Sequence, residues 1–351
     1  MKPSSIVCHY SSLAVLTIAA ILGFAPSAPA AECTAYGDPP ATPIANIVPL
    51  CTGGTRLGPW NDSDGTARYA CLYEPKAAAA SEPLPMLVFL HPSLVTADSL
   101  WESTNLLDYI DTYDLSDDPS RPGFIVLAPE GRDTTHYYPT ADAVGPGWDN
   151  WYRQFSPAIT SPHENVDAAT IDHFIAAVIA TGVIDERRIY LSGWSNGAAM
   201  AYEYGLNRGD IASIAVYSAP DPYAFTVDPC QQTPVAGLAP SISQIEITAP
   251  HVATYQVHNL CDLAGICPNT ERLETRLRNI GVLAGDQIIG SLGDPLDPLN
   301  QDPASACDSL CGANPDGDSN NALGGNNHTR WPTDWTTTML AFLRNHPQSG
   351  D

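Results

Sequence analysis

The stretch "LSGWSNGAAM", residues 191–200, holds a serine between two glycines in the spacing G-x-S-x-G. An apolar run typical of a strand, "RIYLSG" (188–193), precedes Ser195, and a helix-forming segment, "GAAMAYEYGLN" (197–207), follows it. A serine on a sharp turn from a strand into a helix is the setting of a nucleophile elbow, where its neighbours must be small. The two glycines meet that requirement. We therefore predict that Ser195 is a nucleophile; the alternative is a serine in a small-residue loop.

The segments around this motif alternate between two patterns. Apolar runs that are continuous are typical of strands buried on both faces of a parallel sheet, and they alternate here with segments of helical period. This order predicts an α/β fold with a mostly parallel central sheet flanked by helices. The predicted strands are 68–73, 85–91, 123–129, 188–193, 211–218 and 252–258. The predicted helices are 99–114, 166–181, 197–207 and 335–346, and the long loops are 133–164, 219–250 and 290–327.

The first 30 residues have the pattern of a secretory signal peptide. A lysine is followed by an apolar run from Leu13 to Phe24 and by the small-residue pattern Ala28-Pro29-Ala30. The run is short for a bilayer span, which makes a retained anchor the lesser alternative. We predict that 1–30 is removed, that 31–351 is a single catalytic domain, and that the protein is secreted to the periplasm or the medium without a membrane anchor.

Cysteine usage agrees with export. The chain has nine cysteines, and one of them, Cys8, lies in the predicted signal peptide. The remaining even number predicts a disulfide-stabilised domain, although the pairing cannot be read from sequence. Cys261–Cys267 and Cys307–Cys311 are close enough to close small loops. A zinc site is the alternative, but the chain contains no C-x2-C pair.

Charge and composition restrict the partners. The formal net charge is −24, and a surface this acidic repels phosphate backbones, so we expect no nucleic-acid partner. "NPDGDSNN" (314–321) places Asp316, Asp318 and Asn320 at alternate positions, as in part of a calcium loop. The glycine and the closing glutamate of such a loop are missing, which favours a solvated acidic turn. We expect neither a metal nor a cofactor, and calcium binding stays open.

A serine hydroxyl needs a base, and in this fold the acid and then the histidine follow the serine in the chain. His328 lies in "GGNNHTRWP", a glycine- and asparagine-rich loop before the last helix, and we predict that it is the base. The alternative is that His328 only makes the hydrogen bonds of its turn. The other later histidines are His251, His258 and His346.

Asp262 lies four residues after the predicted strand that ends at His258. A carboxylate at that place would fix the histidine tautomer and stabilise the imidazolium. We therefore predict that Asp262 is the acid. The rival carboxylates are Asp286, Asp294 and Asp297.

An oxyanion hole needs two N–H donors. One is expected from Asn196, the residue after the nucleophile, and one from the loop after the strand at 85–91. Pro92 has no N–H, so we predict that Ser93 is the second donor.

Three aromatic residues are candidates for substrate contacts. Trp148 and Trp151 of "GWDNWY" (147–152) either form a wall of the pocket or anchor their loop to the domain. Tyr223, which follows the strand after the elbow helix, is predicted to line the same cleft.

Taken together, these motifs resemble a family of secreted esterases related to polyhydroxybutyrate depolymerases and to feruloyl and acetylxylan esterases. The resemblance implies an α/β-hydrolase fold and hydrolysis of carboxylic esters through Ser195, Asp262 and His328, on a substrate that is an aliphatic polyester or a phenolic or acyl ester. Pro92 and Asn259 replace glycines of the family pattern. The matching segments are "LHPS" (90–93), "GWDNWY" (147–152), "GWSNG" (193–197), "HNLCD" (258–262) and "NNHTRWP" (326–332).

Three other functions remain open. The chain is more distantly similar to oxidised polyvinyl alcohol hydrolase, which cleaves carbon–carbon bonds of β-diketones. That enzyme has a tryptophan just after the acid, whereas this chain has Leu263-Ala264-Gly265. A peptidase of the same fold and a non-catalytic binding protein on the same scaffold are the remaining alternatives.

Overall fold

The chain divides into two compact units, Met1–Glu32 and Cys33–Asp351, and all the residues that can be described belong to the second. The predicted signal peptide and most of the three predicted long loops lie outside the residues that can be described. The computed structural model describes residues 48–63, 65–76, 83–133, 145–148, 165–222, 247–259, 262, 267–289 and 328–348.

An eight-stranded sheet runs through this unit in the order β1-β2-β4-β3-β7-β8-β9-β10. β2 is antiparallel to both β1 and β4, and every other neighbouring pair is parallel. This arrangement confirms the predicted mostly parallel sheet. Its strands are β1 (Thr55–Asn61), β2 (Ala67–Tyr73), β3 (Leu84–Leu90), β4 (Ile125–Pro129), β7 (Ile184–Trp194), β8 (Ser213–Tyr217), β9 (Ala253–Asn259) and β10 (Ala284–Ile289). A separate ribbon pairs β5 (Arg132–Asp133) with β6 (Pro146–Gly147).

Helices cover both faces of the sheet. Every residue of β3 is buried, and its side chains alternate between two hydrophobic clusters, as a strand between two helical layers requires. One cluster includes buried residues of α2, α3 and α4, and the other includes those of α1 and α5. The helices are α1 (Ser99–Ser103), α2 (Val166–Ile179), α3 (Asn196–Gly205), α4 (Cys267–Asn279) and α5 (Thr336–Arg344), with short 3-10 turns at Leu106–Tyr109 and Thr333–Trp335.

All six predicted strands are present, but the predicted helix at 99–114 is shorter. It ends at Thr104, whose backbone is extended at φ −120° and ψ 167°. The Thr104 hydroxyl donates to the Leu100 carbonyl at 2.6 Å and accepts from the Leu106 N–H at 3.3 Å. A threonine side chain that bonds its own backbone neighbours competes with the helical hydrogen bonds, and this explains the break.

Sequence patterns did not indicate β1, β10 or α4. The sequence of β1, "TRLGPWN", contains Gly-Pro and is interrupted by a bulge between Leu57 and Trp60, which suits an edge strand but hides its pattern. The sequence of α4, "CPNTERLETRLRN", is mostly polar. Two of its described leucines, Leu273 and Leu277, are buried one turn apart, and so narrow an apolar stripe is easily missed.

A disulfide ties the segment before β1 to β2. It joins Cys51 to Cys71, 20 residues apart in the chain. The pairs considered from sequence, Cys261–Cys267 and Cys307–Cys311, involve side chains outside the described part. Within the described ranges, no helix is both long and apolar enough to cross a bilayer.

A buried arginine links the sheet to α2. Arg68 of β2 is fully buried, and its guanidinium contacts Asp62 at 3.1 Å and also Asp167 in the first turn of α2. The same turn is capped by Asn165, whose side-chain oxygen accepts from the N–H groups of Asp167 and Ala168. Since a charge is tolerated away from water only when it is paired, these contacts fix where α2 lies on the sheet.

Replacing this arginine should therefore destabilise the fold. We expect Arg68→Met to lower the free energy of unfolding by about 3–5 kcal/mol, because it removes the buried cation that Asp62 and Asp167 contact. Urea denaturation measures the change. The exposed Arg187 serves as the control, since Arg187→Met should change stability by less than about 0.5 kcal/mol. A similar small change in both variants would contradict the role given to Arg68.

Candidate active site

Ser195 sits alone between β7 and α3, on a strained turn. Its backbone angles are φ 56° and ψ −124°, which side chains other than glycine rarely adopt. The Ser195 N–H donates to the Tyr217 carbonyl of β8 at 3.1 Å, which helps to hold the turn. A Cβ on Gly197 would lie 2.2 Å from the Leu90 carbonyl oxygen, and one on Gly193 would lie 2.5 Å from that of Gly197. Both glycines are thus required by backbone contact, as the elbow prediction expects.

The structure brings Ser195, His328 and Asp262 together. The Nε2 atom of His328 lies 2.8 Å from the Oγ of Ser195, and its Nδ1 lies 3.0 Å from Oδ1 of Asp262. Both are hydrogen-bonding distances. These three side chains come from three different parts of the chain, and they have the order of contacts of a nucleophile, a general base and an orienting acid.

Burial differs between Asp262 and His328 in a way that suits an orienting acid and a general base. The Asp262 side chain is fully buried, while 15% of the His328 side chain is exposed. Asp262 is also held by the Ser218 hydroxyl, which donates to its Oδ2 at 2.6 Å. A buried carboxylate that accepts hydrogen bonds remains ionised more readily than an isolated one. Asp262 can therefore act as the anion beside the histidine.

Aromatic packing positions the loop that carries His328. The indole N–H of Trp194, at the end of β7, donates to the His328 carbonyl at 2.8 Å. Trp331 packs edge-on against Trp194, Tyr217 and Phe89, with ring centroids 5.8–5.9 Å apart. Edge-to-face contacts of this kind are favourable and restrict ring orientation. The "HTRW" segment (328–331) is thereby fixed to β7, which ends just before Ser195.

The two predicted oxyanion donors flank the same turn. Asn196 begins α3, so its N–H has no partner within the helix. Ser93 lies in the turn that follows β3, two residues beyond His91. The carbonyl groups of Leu90 and His91 face Gly197, so the backbone leading to Ser93 approaches the start of α3. This brings both predicted donors near the elbow, Asn196 at the start of α3 and Ser93 in the turn after β3.

Trp148 makes the contacts of a loop anchor, which is one of the two roles predicted for it. Its side chain is fully buried, and its indole N–H donates to the His91 carbonyl at 2.8 Å. Its backbone N–H donates to Oδ1 of Asn196 at 2.6 Å, and its carbonyl accepts from the Asn196 amide at 3.3 Å. Trp148 thus anchors β6 between the loop after β3 and the elbow. The other predicted contacts, Trp151 and Tyr223, lie outside the described residues.

Two buried titratable groups support the loop after β3. Burial lowers the pKa of His91 to about 4, so this histidine is neutral at pH 7. Its Nε2 accepts from the Gly131 N–H at 2.8 Å, which leaves the proton on Nδ1 to be donated to the Pro92 carbonyl. Burial also raises the pKa of Glu130 to about 8, against the opposing effect of the Ala97 N–H that donates to Oε2 at 2.7 Å. His91 is therefore a rigid support and not a second base.

The rival residues are placed elsewhere. His258 is buried in β9, with its Nε2 3.5 Å from Asp286 of β10, and this hydrogen bond is the main cause that lowers the pKa of Asp286. His346 bonds the Phe342 carbonyl at 2.7 Å, and His251 is exposed.

Asp294, Asp297 and the acidic turn at 314–321 lie outside the described part of the chain. Within the ranges described, no three histidine, cysteine or carboxylate side chains are grouped so that they could hold a metal.

The sequence patterns did not indicate Ser218. It follows β8 directly, is fully buried, and has a positive φ of 55°. Its Oγ lies 2.7 Å from Nδ1 of His328 as well as 2.6 Å from Asp262. Its only sequence signal was its place at the end of an apolar strand beside the elbow strand.

Comparison with known proteins identifies the fold. The sequence matches no protein-family model and is not significantly similar to any curated protein sequence. A solved thermophilic esterase of the planctomycete Thermogutta terrifontis, with propionate bound, is similar over 86% of this chain and 98% of its own, with 10% identity and a TM-score of 0.50. With the sheet order and the elbow, this shows an α/β-hydrolase fold.

Other solved structures are similar at lower scores. A thermostable esterase has 14% identity and a TM-score of 0.49; the match covers 85% of this chain and 64% of that one, so this chain spans less than two thirds of its length. An acetyl xylan esterase from Aspergillus awamori has 16% identity and a TM-score of 0.45, with coverage of 65% and 80%.

The steric requirement at Gly197 gives a testable prediction. We expect Gly197→Ala to reduce turnover on any substrate that reacts at Ser195 by about 100-fold, because its Cβ forces α3 away from β3 and shifts the nucleophile. Steady-state kinetics measures the loss. Gly209 has open space around it, so Gly209→Ala is the matched control and should leave turnover unchanged. Equal turnover in both variants would contradict the tight elbow.

The raised pKa of Glu130 predicts how stability depends on pH. The unfolded chain loses this proton near pH 4.5, whereas the folded protein keeps it up to about pH 8. Between these values the folded state binds more protons, so the contribution of Glu130 to stability falls as pH rises. Glu130→Gln should remove this fall and be more stable than wild type at pH 9, but not at pH 4.

Denaturation at several pH values tests this effect. The exposed Glu102 of α1 provides the control for loss of a carboxylate, and Glu102→Gln should leave the pH dependence of wild type in place. A Glu130→Gln variant that loses stability with pH as steeply as wild type would show that Glu130 is ionised in the folded protein.

Proposed function

We propose that this protein is an exported serine esterase that hydrolyses carboxylic esters through Ser195, His328 and Asp262. One observation carries the proposal: Nε2 of His328 lies 2.8 Å from the Ser195 hydroxyl while Nδ1 faces a buried carboxylate at 3.0 Å. A base with one nitrogen on the nucleophile and the other on an anion is arranged to remove a proton and to be stabilised as imidazolium.

The reaction follows from these contacts. His328 takes the Ser195 proton as Oγ attacks the ester carbonyl, and the carbonyl oxygen becomes negative in the tetrahedral intermediate. The N–H groups of Asn196 and Ser93 stabilise that charge, an effect commonly worth about 3–4 kcal/mol for each donor. The imidazolium then gives its proton to the departing alcohol. Water, deprotonated by the same histidine, attacks the acyl-enzyme and releases the acid.

For the substrate class, we propose aliphatic hydroxyalkanoate oligomers or phenolic and acyl esters. The motif resemblance to polyhydroxybutyrate depolymerases and feruloyl esterases supports this choice. Export is supported by the signal-like first 30 residues and by the Cys51–Cys71 disulfide, since disulfides persist in oxidising compartments.

Ester hydrolysis by wild type and variants tests the reaction. We expect wild type to hydrolyse p-nitrophenyl esters, and Ser195→Ala, His328→Ala and Asp262→Asn to lose about 10⁴-fold or more in kcat. Ser192 lies in β7 three residues before the nucleophile and is also buried, so Ser192→Ala is the matched control and should keep wild-type activity. Acyl chains of increasing length, methyl ferulate and emulsified polyhydroxybutyrate identify the preferred ester.

Three outcomes would overturn the proposal. Full esterase activity in Ser195→Ala would exclude this serine as the nucleophile. A folded wild-type protein that is inactive on every ester but cleaves β-diketones would be a carbon–carbon bond hydrolase. A preference for aminoacyl amides over the matching esters would indicate a peptidase.

A further inference from the structure

Ser218 closes a ring of hydrogen bonds with the acid and the base. Its Oγ lies 2.6 Å from Oδ2 of Asp262 and 2.7 Å from Nδ1 of His328, while the same Nδ1 lies 3.0 Å from Oδ1 of Asp262. The three side chains that supply these atoms are buried or largely buried. The carboxylate is thus contacted through both of its oxygens.

The protons available to these groups fix the direction of each bond. An ionised carboxylate only accepts, and a hydroxyl has a single proton to donate. The Ser218 proton therefore goes to Asp262, and the Ser218 oxygen accepts from Nδ1–H of His328. A histidine with its proton on Nδ1 presents an unprotonated Nε2, which is the form that can remove the Ser195 proton.

The backbone conformation at Ser218 indicates that a serine is present there for its hydroxyl group, because the turn alone would favour glycine. At φ 55° a glycine is free of strain, whereas a residue with a Cβ carries a steric cost. The Ser218 N–H donates to the Val257 carbonyl at 2.9 Å, so the turn itself is held by the backbone between β8 and β9. A side chain in so unfavourable a conformation is explained by the two bonds its oxygen makes.

We propose that Ser218 is a positioning residue that orients Asp262 and holds His328 in the tautomer with the proton on Nδ1. The inference rests on the proposed function. Ser218 does not touch the reacting atoms and acts through Asp262 and His328. Without its hydroxyl, both side chains can rotate, and the Nδ1 proton of His328 loses one of its acceptors.

Two variants separate the hydroxyl from the backbone. Ser218→Ala keeps the Cβ and Ser218→Gly relieves the strain, and both remove the hydroxyl. We expect kcat to fall about 10- to 100-fold in both, as for a hydrogen bond to a charged group, with KM little changed. Ser218→Gly should unfold at no lower urea concentration than Ser218→Ala, because the glycine relieves the strain while both variants lack the hydroxyl. Ser213, buried at the start of β8, is the control, and Ser213→Ala should keep wild-type kcat.

A spectroscopic measurement tests the hydrogen bonds without any substrate. In protein labelled with nitrogen-15 in histidine, the Nδ1–H proton of His328, assigned with His328→Ala, should move upfield in both Ser218 variants and not in Ser213→Ala. Wild-type kcat in Ser218→Gly, or an unmoved resonance, would overturn the proposal. Because the resonance reports the resting protein, it would still move if the protein were not an esterase, so the two proposals fail separately.

Discussion

The arrangement of the site depends on a close backbone contact between the start of α3 and the end of β3. Gly197 leaves no room for a side chain against the carbonyl groups of Leu90 and His91. Because of this contact, the turn at Ser195 and the turn at Ser93 are neighbours, and a nucleophile and an oxyanion loop can share one position of a substrate carbonyl. The strained angles of Ser195 are a further consequence, since the chain must reverse between a strand and a helix within one residue.

The remaining groups reach the same place because parallel strands end at a common edge. Ser195 follows β7, Ser218 follows β8 and Asp262 comes soon after β9, and these strands are adjacent in the sheet. Loops at the carboxyl ends of such strands are where open α/β sheets place their sites. His328 arrives from outside the sheet and is held there by Trp331 and by the indole of Trp194. His328 is thus positioned by packing on β7, the strand that leads to Ser195.

Much of this arrangement is readable from sequence, because the strands of the parallel sheet are continuous apolar runs and the elbow requires glycines at fixed spacing. Asp262 and His328 could be chosen by chain order and by their loops. β1 and α4 could not be predicted, since a Gly-Pro edge strand and a polar helix have little periodic signal.

The side-chain hydrogen bonds around the site could not be predicted from sequence either. For Trp148 the sequence left a pocket wall and a loop anchor equally open, because an aromatic residue in a loop has the same pattern whether it faces a substrate or the core. Ser218 could not be distinguished from any serine that ends a strand, since its role depends on three side chains distant in sequence. Contacts of this kind follow from tertiary packing, which the local pattern does not encode.

Covalent labelling tests most directly whether Ser195 is a nucleophile activated by His328. A fluorophosphonate reacts with an activated serine by forming a P–O bond and releasing fluoride, and it needs no knowledge of the natural ester. The protein should gain the mass of one phosphonyl group, on the peptide that contains Ser195, and His328→Ala should react far more slowly. A folded protein that remains unlabelled, or that is labelled at another serine, would contradict the account.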